Sequence, residues 1–246
     1  MTHPETRLGL PEGISAALFD LDGVLTSTAE LHERAWKQVF DEFLEQRGGP
    51  QSQPFTAHDY DAYVDGLPRL DGVRSFLKSR HITLPEEGDG WTVHGIGDRK
   101  DAVLHELIEH SGVHVYPGSQ DYLAAVRAAG LRTGVVSSSA NAAAVLAAAR
   151  LSDYAEVRVD GKNFAEEGLR GKPAPDGFLA AAARLQVRPP HTAVFEDAVA
   201  GVAAGHAGGF GFVVGIDRVR DGRQAAALRD AGADRVVTDL SELTRS

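Results

Sequence analysis

Ile14-Ser15-Ala16-Ala17-Leu18-Phe19-Asp20-Leu21-Asp22-Gly23 is the stretch on which the fold turns. From Ile14 to Leu21 it is almost continuously apolar and ends in acidic residues, the pattern of a strand buried on both faces of a parallel sheet. Downstream, Leu31, Ala35, Val39 and Phe43 recur on one helical face across Ala29 to Arg47, and Gly48, Gly49 and Pro50 stop that helix. From Gln51 to about Val115 the chain turns polar, with turn-forming Pro and Gly; Val73 to Leu77 and Ala102 to Ile108 are helical in pattern and no strand stands out. From Tyr116 the alternation resumes. Helices are expected over Ser119–Ala129, Asn141–Ala149, Pro175–Leu185 and Ala198–His206. Strands are expected over Leu131–Ser137, Glu156–Asp160, Thr192–Glu196, Phe210–Gly215 and Arg235–Thr238. Such alternation predicts an α/β fold, a doubly wound and mostly parallel Rossmann-like sheet. Residues 1–28 and 116–246 would form this core, and residues 29–115 an inserted helical cap domain.

The chain has 246 residues, 43% of them hydrophobic and 24% charged, enough apolar material for a packed core. A formal charge of −10 argues against nucleic acid or an anionic membrane as a main partner. An anionic small substrate would need a local basic pocket. Cysteine is absent, which excludes disulfides and thiol catalysis. Met1 to Gly13 lacks a signal-peptide pattern and no apolar run approaches membrane-spanning length, so a cytoplasmic location is expected.

Polar residues gather where strands end and in one loop: Asp20 and Asp22, Ser137 to Ser139, Lys172, Glu196 and Asp197. In a doubly wound sheet those strand ends are where ligands bind. Asp20 and Asp22 are two apart, so in extended backbone they point the same way; one can attack while the other moves protons. A carboxylate attacking a phosphoryl group meets like-charge repulsion. Magnesium prefers oxygen ligands, which Asp20 with Asp197 or Glu196 would offer. Lys172 would neutralise further charge, and the Ser137 hydroxyl can bond a phosphoryl oxygen. Taken singly, each feature has a plainer explanation. Asp-x-Asp-Gly is a common turn, Ser137 to Ser139 can cap a helix, Lys172 can be a surface lysine, and Glu196 with Asp197 can be helix N-terminal charges. Their joint occurrence in this order is what those explanations leave unaccounted for. Other motifs fail. His105 and His110 are one residue too far apart for a zinc helix, no Gly-x-Gly-x-x-Gly follows the first strand, and Gly171-Lys172 precedes proline rather than Ser or Thr.

Four segments resemble the motifs of the haloacid dehalogenase superfamily: Phe19-Asp20-Leu21-Asp22-Gly23-Val24, Val136-Ser137-Ser138-Ser139, Lys172-Pro173-Ala174-Pro175-Asp176 and Phe195-Glu196-Asp197-Ala198. Thr28-Ala29-Glu30-Leu31-His32-Glu33-Arg34-Ala35-Trp36 resembles the hinge and first cap helix of its β-phosphoglucomutase-like branch, and Val115-Tyr116-Pro117-Gly118 the return from cap to core. The resemblance implies that Asp20 becomes an aspartyl phosphate and that Asp22 is the general acid and base, with Thr28 and His32 coupling cap position to Asp22. It gives Ser137, Ser138, Asn141 and Lys172 the transferring phosphoryl group. It surrounds Mg2+ with Asp20, the backbone carbonyl of Asp22, Asp197 and Glu196. Arg74 and Lys100 resemble the cap positions that hold the distal phosphate of a bisphosphate. An aspartate rather than an aromatic residue at position 22 favours phosphate chemistry over carbon–halogen cleavage.

The function implied is magnesium-dependent phosphoryl transfer on a small sugar phosphate: isomerisation of β-glucose 1-phosphate to glucose 6-phosphate with a hexose bisphosphate activator. A sugar-phosphate phosphatase is the alternative, and a non-catalytic phosphosugar-binding regulator a third, more distant one. No oligomeric state is implied.

Overall fold

The computed structural model of the chain describes residues 8–49, 52–220 and 222–244. The chain divides into two compact units, one holding residues up to Ser27 and from His114 onward, the other Thr28–Val113.

The first strand, β1 (Ala16–Phe19), is wholly buried and passes through the middle of the first unit's sheet. The second unit follows it in sequence and is helical: α1 (Ala29–Arg47), α2 (Ala57–Tyr63), α3 (Arg69–Ser79) and α4 (Val93–Ser111). Leu31, Ala35, Val39 and Phe43 are buried along α1, as their four-residue spacing predicts. Gly48 ends that helix at φ 64°, while Pro50, also expected to stop it, lies outside the described residues. Trp36, Phe40, Phe55 and Phe76 stack into the unit's core, with Phe40 and Phe76 centroids 4.2 Å apart. Arg69, opening α3, ties it to α4 through ion pairs with Asp98 and Asp101.

Back in the first unit come α5 (Pro117–Ala128), β2 (Arg132–Val136), α6 (Ala142–Ala148), β3 (Val157–Val159), α7 (Gly161–Glu167), α8 (Asp176–Arg184), β4 (Thr192–Glu196), α9 (Val199–Ala207), β5 (Phe212–Ile216), α10 (Arg223–Asp230) and β6 (Arg235–Val237). All pairings are parallel and the strand order is β3-β2-β1-β4-β5-β6. The sheet therefore grows outward one way from β1 through β2 and the other way from β4 through β5. The reversal lies between β1 and β4, where a doubly wound sheet opens a crevice at its strands' carboxyl ends.

Three helices have no counterpart in the expected elements: α2, α7 and α10. Each is short, and the buried positions within them are Asp59, Phe164 and Leu228 alone. One anchor per helix leaves no periodic stripe to read. Among the described residues, no helix is long and apolar enough to cross a membrane.

Candidate active site

The site begins with strand register. Phe19 pairs with Phe195 across β1 and β4, their rings stacked at 4.5 Å, and the Asp20 amide donates to the Phe195 carbonyl at 2.9 Å. One residue further along each strand, Asp20 and Glu196 therefore leave the sheet side by side, and both are buried. Two carboxylates in a desolvated place repel, and Lys172 answers them. Its Nζ donates to Asp20 Oδ1 at 2.5 Å and also pairs with Glu196 Oε1. Burial drives the Asp20 carboxyl well above the ordinary aspartate range; Glu196 and Asp22 push the same way, while Lys172 pulls against them. Burial alone would lower the Lys172 ammonium. The two carboxylates outweigh it and keep the lysine protonated, above its ordinary range.

Asp197 joins from the residue after β4. Carboxylate oxygens of Asp20, Glu196 and Asp197 all lie within 4.8 Å of one another. Two glycines make this crowding feasible. Gly23, at φ +85°, lies so close to the Asp197 carboxylate that a Cβ there would collide with it. Gly201, inside α9, does the same for Glu196. Three convergent carboxylates against one lysine leave excess negative charge in a buried place, at considerable cost. An all-oxygen set of this kind suits a hard divalent cation.

Asp22 stands on the other side of the same turn, where its Oδ2 accepts a hydrogen bond from Ser137 Oγ at 3.1 Å. Ser137 directly follows β2, is buried, and also accepts from the Ser139 amide at 3.1 Å. The loop carries Ser138 and closes where the Asn141 amide donates to Ser139 Oγ at 3.2 Å; Asn141 then stands at the N-cap of α6. Gly161 braces this loop. Its amide donates to the Ser139 carbonyl at 3.1 Å, and a Cβ on it would meet the Ser138 to Ala140 backbone.

Asp20, Asp22, Ser137, Lys172, Glu196 and Asp197 are thus brought together at the carboxyl ends of β1, β2 and β4, with Ser138 and Asn141 in the adjoining loop. Thr28, His32, Lys100 and Arg74 belong to the helical unit. There Thr28 is buried at the start of α1 and His32 lies one turn on. Lys100, buried on α4, has its Nζ 3.2 Å from His32 Nδ1 and 5.3 Å from the Trp36 ring centre. Arg74 is half-exposed and gives its guanidinium to Glu86 and Asp71 at 2.8 to 3.1 Å. Sequence reasoning passed over Gly201 and Gly161. An isolated glycine inside a helix pattern is the signal that could have found Gly201.

Residues 14–209 match the model of the haloacid dehalogenase-like hydrolase family. The chain is 54% identical to a protein named β-phosphoglucomutase from Mycobacterium bovis, over 98% of this chain and 97% of that one. It is 28% identical to the phosphorylated carbohydrates phosphatase of Thermotoga maritima, over 89% and 92%. Among solved structures, the β-phosphoglucomutase of Clostridium difficile superposes with a TM-score of 0.76 at 26% identity, covering 94% of this chain and 93% of that one. With its convergent carboxylates, buried lysine and parallel sheet on the page beside these likenesses, the chain belongs to the haloacid dehalogenase-like hydrolase family, in the β-phosphoglucomutase-like branch.

Proposed function

We propose that the protein transfers a phosphoryl group on a small sugar phosphate by way of a phosphorylated Asp20, in the manner of a β-phosphoglucomutase. The observation that carries this reading is the buried contact of Lys172 with both Asp20 and Glu196. It sets a cation directly against the carboxyl at the tip of β1, in a place solvent hardly reaches. Asp20, Glu196, Asp197 and the backbone carbonyl of Asp22 would hold Mg2+. Bound there, the ion would supply positive charge to the phosphoryl oxygens.

An Asp20 oxygen forms the bond to phosphorus as the bond from phosphorus to the sugar oxygen breaks, and Asp22 donates its proton to that departing oxygen. In the return step Asp22 takes a proton from the incoming hydroxyl, whose oxygen displaces Asp20 from phosphorus. Ser137, Ser138, Asn141 and Lys172 bind the transferring group's oxygens. Ser137 also orients Asp22 through their shared hydrogen bond. In this proposal Lys100 receives the non-reacting phosphate and Thr28 and His32 act on Asp22. Arg74 is the weaker distal-phosphate candidate, because Glu86 and Asp71 already neutralise its charge.

The test is to supply β-glucose 1-phosphate with and without a trace of glucose 1,6-bisphosphate and to measure glucose 6-phosphate against free phosphate. Activator-dependent isomerisation is expected. Asp20→Asn should abolish it with the fold intact, and full activity in that variant would refute the nucleophile. The second reading, a sugar-phosphate phosphatase, is favoured by the likeness to the Thermotoga maritima enzyme; phosphate release from many monoesters without activator would establish it. A regulator that binds phosphosugars without turning them over would give no magnesium-dependent phosphate release at all.

A further inference from the structure

Arg218, in the connection from β5 to α10, belongs to none of the four motifs, yet its side chain is only 16% exposed. Its guanidinium is committed to backbone. Nε donates to the Gly23 carbonyl at 2.7 Å, Nη2 to the Val24 carbonyl at 3.1 Å, and Nη1 to the Thr238 carbonyl at 3.1 Å. Nη2 also lies 3.4 Å from Ser119 Oγ, which itself donates to the Val24 carbonyl at 2.7 Å. The Asp239 carboxylate is 3.7 Å away, and the guanidinium carbon sits 3.6 Å over the Tyr116 ring. A planar fork of five donors is suited to spanning successive carbonyls while stacking on a ring; a lysine ammonium is not.

What the fork grips decides its role. Up to Asp20 the chain is held by the sheet, through the bond from the Asp20 amide to Phe195. Beyond Asp20 it leaves the sheet and enters a tight turn, closed by the Gly23 amide on the Thr26 carbonyl at 2.7 Å. Gly23 is also the point where the Asp197 carboxylate packs close against bare backbone, with no room for a Cβ between them. Tyr116, beneath the fork, donates its amide to the Leu25 carbonyl at 3.1 Å, and Val115 bridges to Thr26. The same contacts therefore clamp the turn from both sides.

We infer that Arg218 is a positioning residue for phosphoryl transfer: it fixes the Gly23 and Val24 carbonyls and through them the carboxylates of Asp22 and Asp197. This rests on the reading of Asp20 as the nucleophile. Arg218 touches no reacting atom, so its loss should act on turnover more than on substrate binding.

The experiment compares wild type, Arg218→Ala and Arg218→Lys. It measures kcat, KM, thermal midpoint and rescue by millimolar guanidinium, with β-glucose 1-phosphate and glucose 1,6-bisphosphate as substrates and glucose 6-phosphate plus free phosphate as total turnover. Arg218→Ala should lower kcat by about 10- to 100-fold with KM within about threefold, as a misplaced catalytic group does. Added guanidinium should restore part of that loss at a temperature where wild type and variant are both fully folded, a condition under which a role in stability alone leaves no loss of kcat to restore. Should Arg218→Ala fail to fold, Arg218→Lys decides, with kcat down about tenfold or more at a temperature where it is fully folded. An active wild type whose folded Arg218 variants keep kcat within about twofold overturns this inference alone, as does a loss that follows only the thermal midpoint and is not rescued. A wild type without turnover overturns the phosphoryl-transfer reading, and this inference with it.

Discussion

Lys172 is a cation held between two acids in a place water hardly reaches. Removing its charge leaves those acids facing each other, and a transferring phosphoryl group without its protein counter-charge. Lys172→Met should therefore reduce phosphoryl transfer about 10²- to 10³-fold, as loss of a single preorganised donor does, measured as glucose 6-phosphate plus free phosphate formed per enzyme. Gly23 invites a second substitution. Gly23→Ala adds a side chain at φ +85°, where L-residues pay about 1–2 kcal/mol, and drives it into Asp197. The expected outcome is a higher magnesium concentration for half-maximal activity, read from a titration; an unchanged titration would remove Asp197 from the metal set. Asp20, Asp22, Ser137, Glu196 and Asp197 were legible because they gather where apolar runs end and burial supplies no reason for polarity, and Lys172, in a polar loop, because Lys172-Pro173-Ala174-Pro175-Asp176 resembles a family motif. Arg218 was not. A lone arginine in a loop has the same local sequence whether it faces solvent or grips Gly23, and only the fold distinguishes the two.

Among elements, α2 carries a pH signature. Thr56 and Asp59 form a capping box at its start, and Arg80 pairs with Asp59 at 2.9 Å. Burial alone would raise the Asp59 carboxyl, but the Thr56 hydroxyl and amide and the Arg80 guanidinium hold it below the ordinary range. A depressed folded value means that the charged form is the stabilising one. Its contribution is complete above the unfolded carboxyl's pKa of about 3.9 and is lost as pH falls through the lower folded value. Asp59→Asn should cost about 1–2 kcal/mol at pH 7 and make stability less steep in acid below about pH 4, a difference that denaturant titrations at pH 7 and pH 3 would resolve. Gly201→Ala tests α9 in a different way. Helix propensity alone would favour alanine by about 1 kcal/mol, yet the Glu196 carboxylate fills the space a methyl would need. The variant should lose activity, by the same assay, despite its better helix former. The strands and most of the longer helices were readable to within a few residues because a buried stripe dictates their period; α4 is the exception, read only over Ala102 to Ile108 although it begins at Val93, because Gly95 and Gly97 interrupt the pattern of its first turns. α2, α7 and α10 are set instead by caps and a single buried contact each, which a periodicity reading does not register.

For the molecule as a whole, the excess of acid over base at the site predicts that ligands stabilise it jointly. Magnesium with a phosphate analogue, each well above its dissociation constant, should raise the thermal midpoint of the unit that binds them. At a hundredfold excess each ligand contributes about 2.7 kcal/mol, or about 5–10 °C per ligand for a protein of this size. Chelation should return the midpoint to its starting value, measured by calorimetry; no shift would argue that the acidic cluster holds no cation. The whole-chain outline, a parallel sheet interrupted by a helical stretch, was readable from the change in sequence character after Arg47 and again after Val115.

Strand order has a further result for how the protein is made. β1 is synthesised first and lies between β2 and β4, which arrive more than a hundred residues later. On a ribosome adding about 5–20 residues per second, the acid at the end of β1 waits for β2, then for the lysine made 152 residues after it, and last for β4. A nascent chain stopped short of Glu196 contains that acid but not the place it works in. No reactive centre can form until synthesis has passed Asp197.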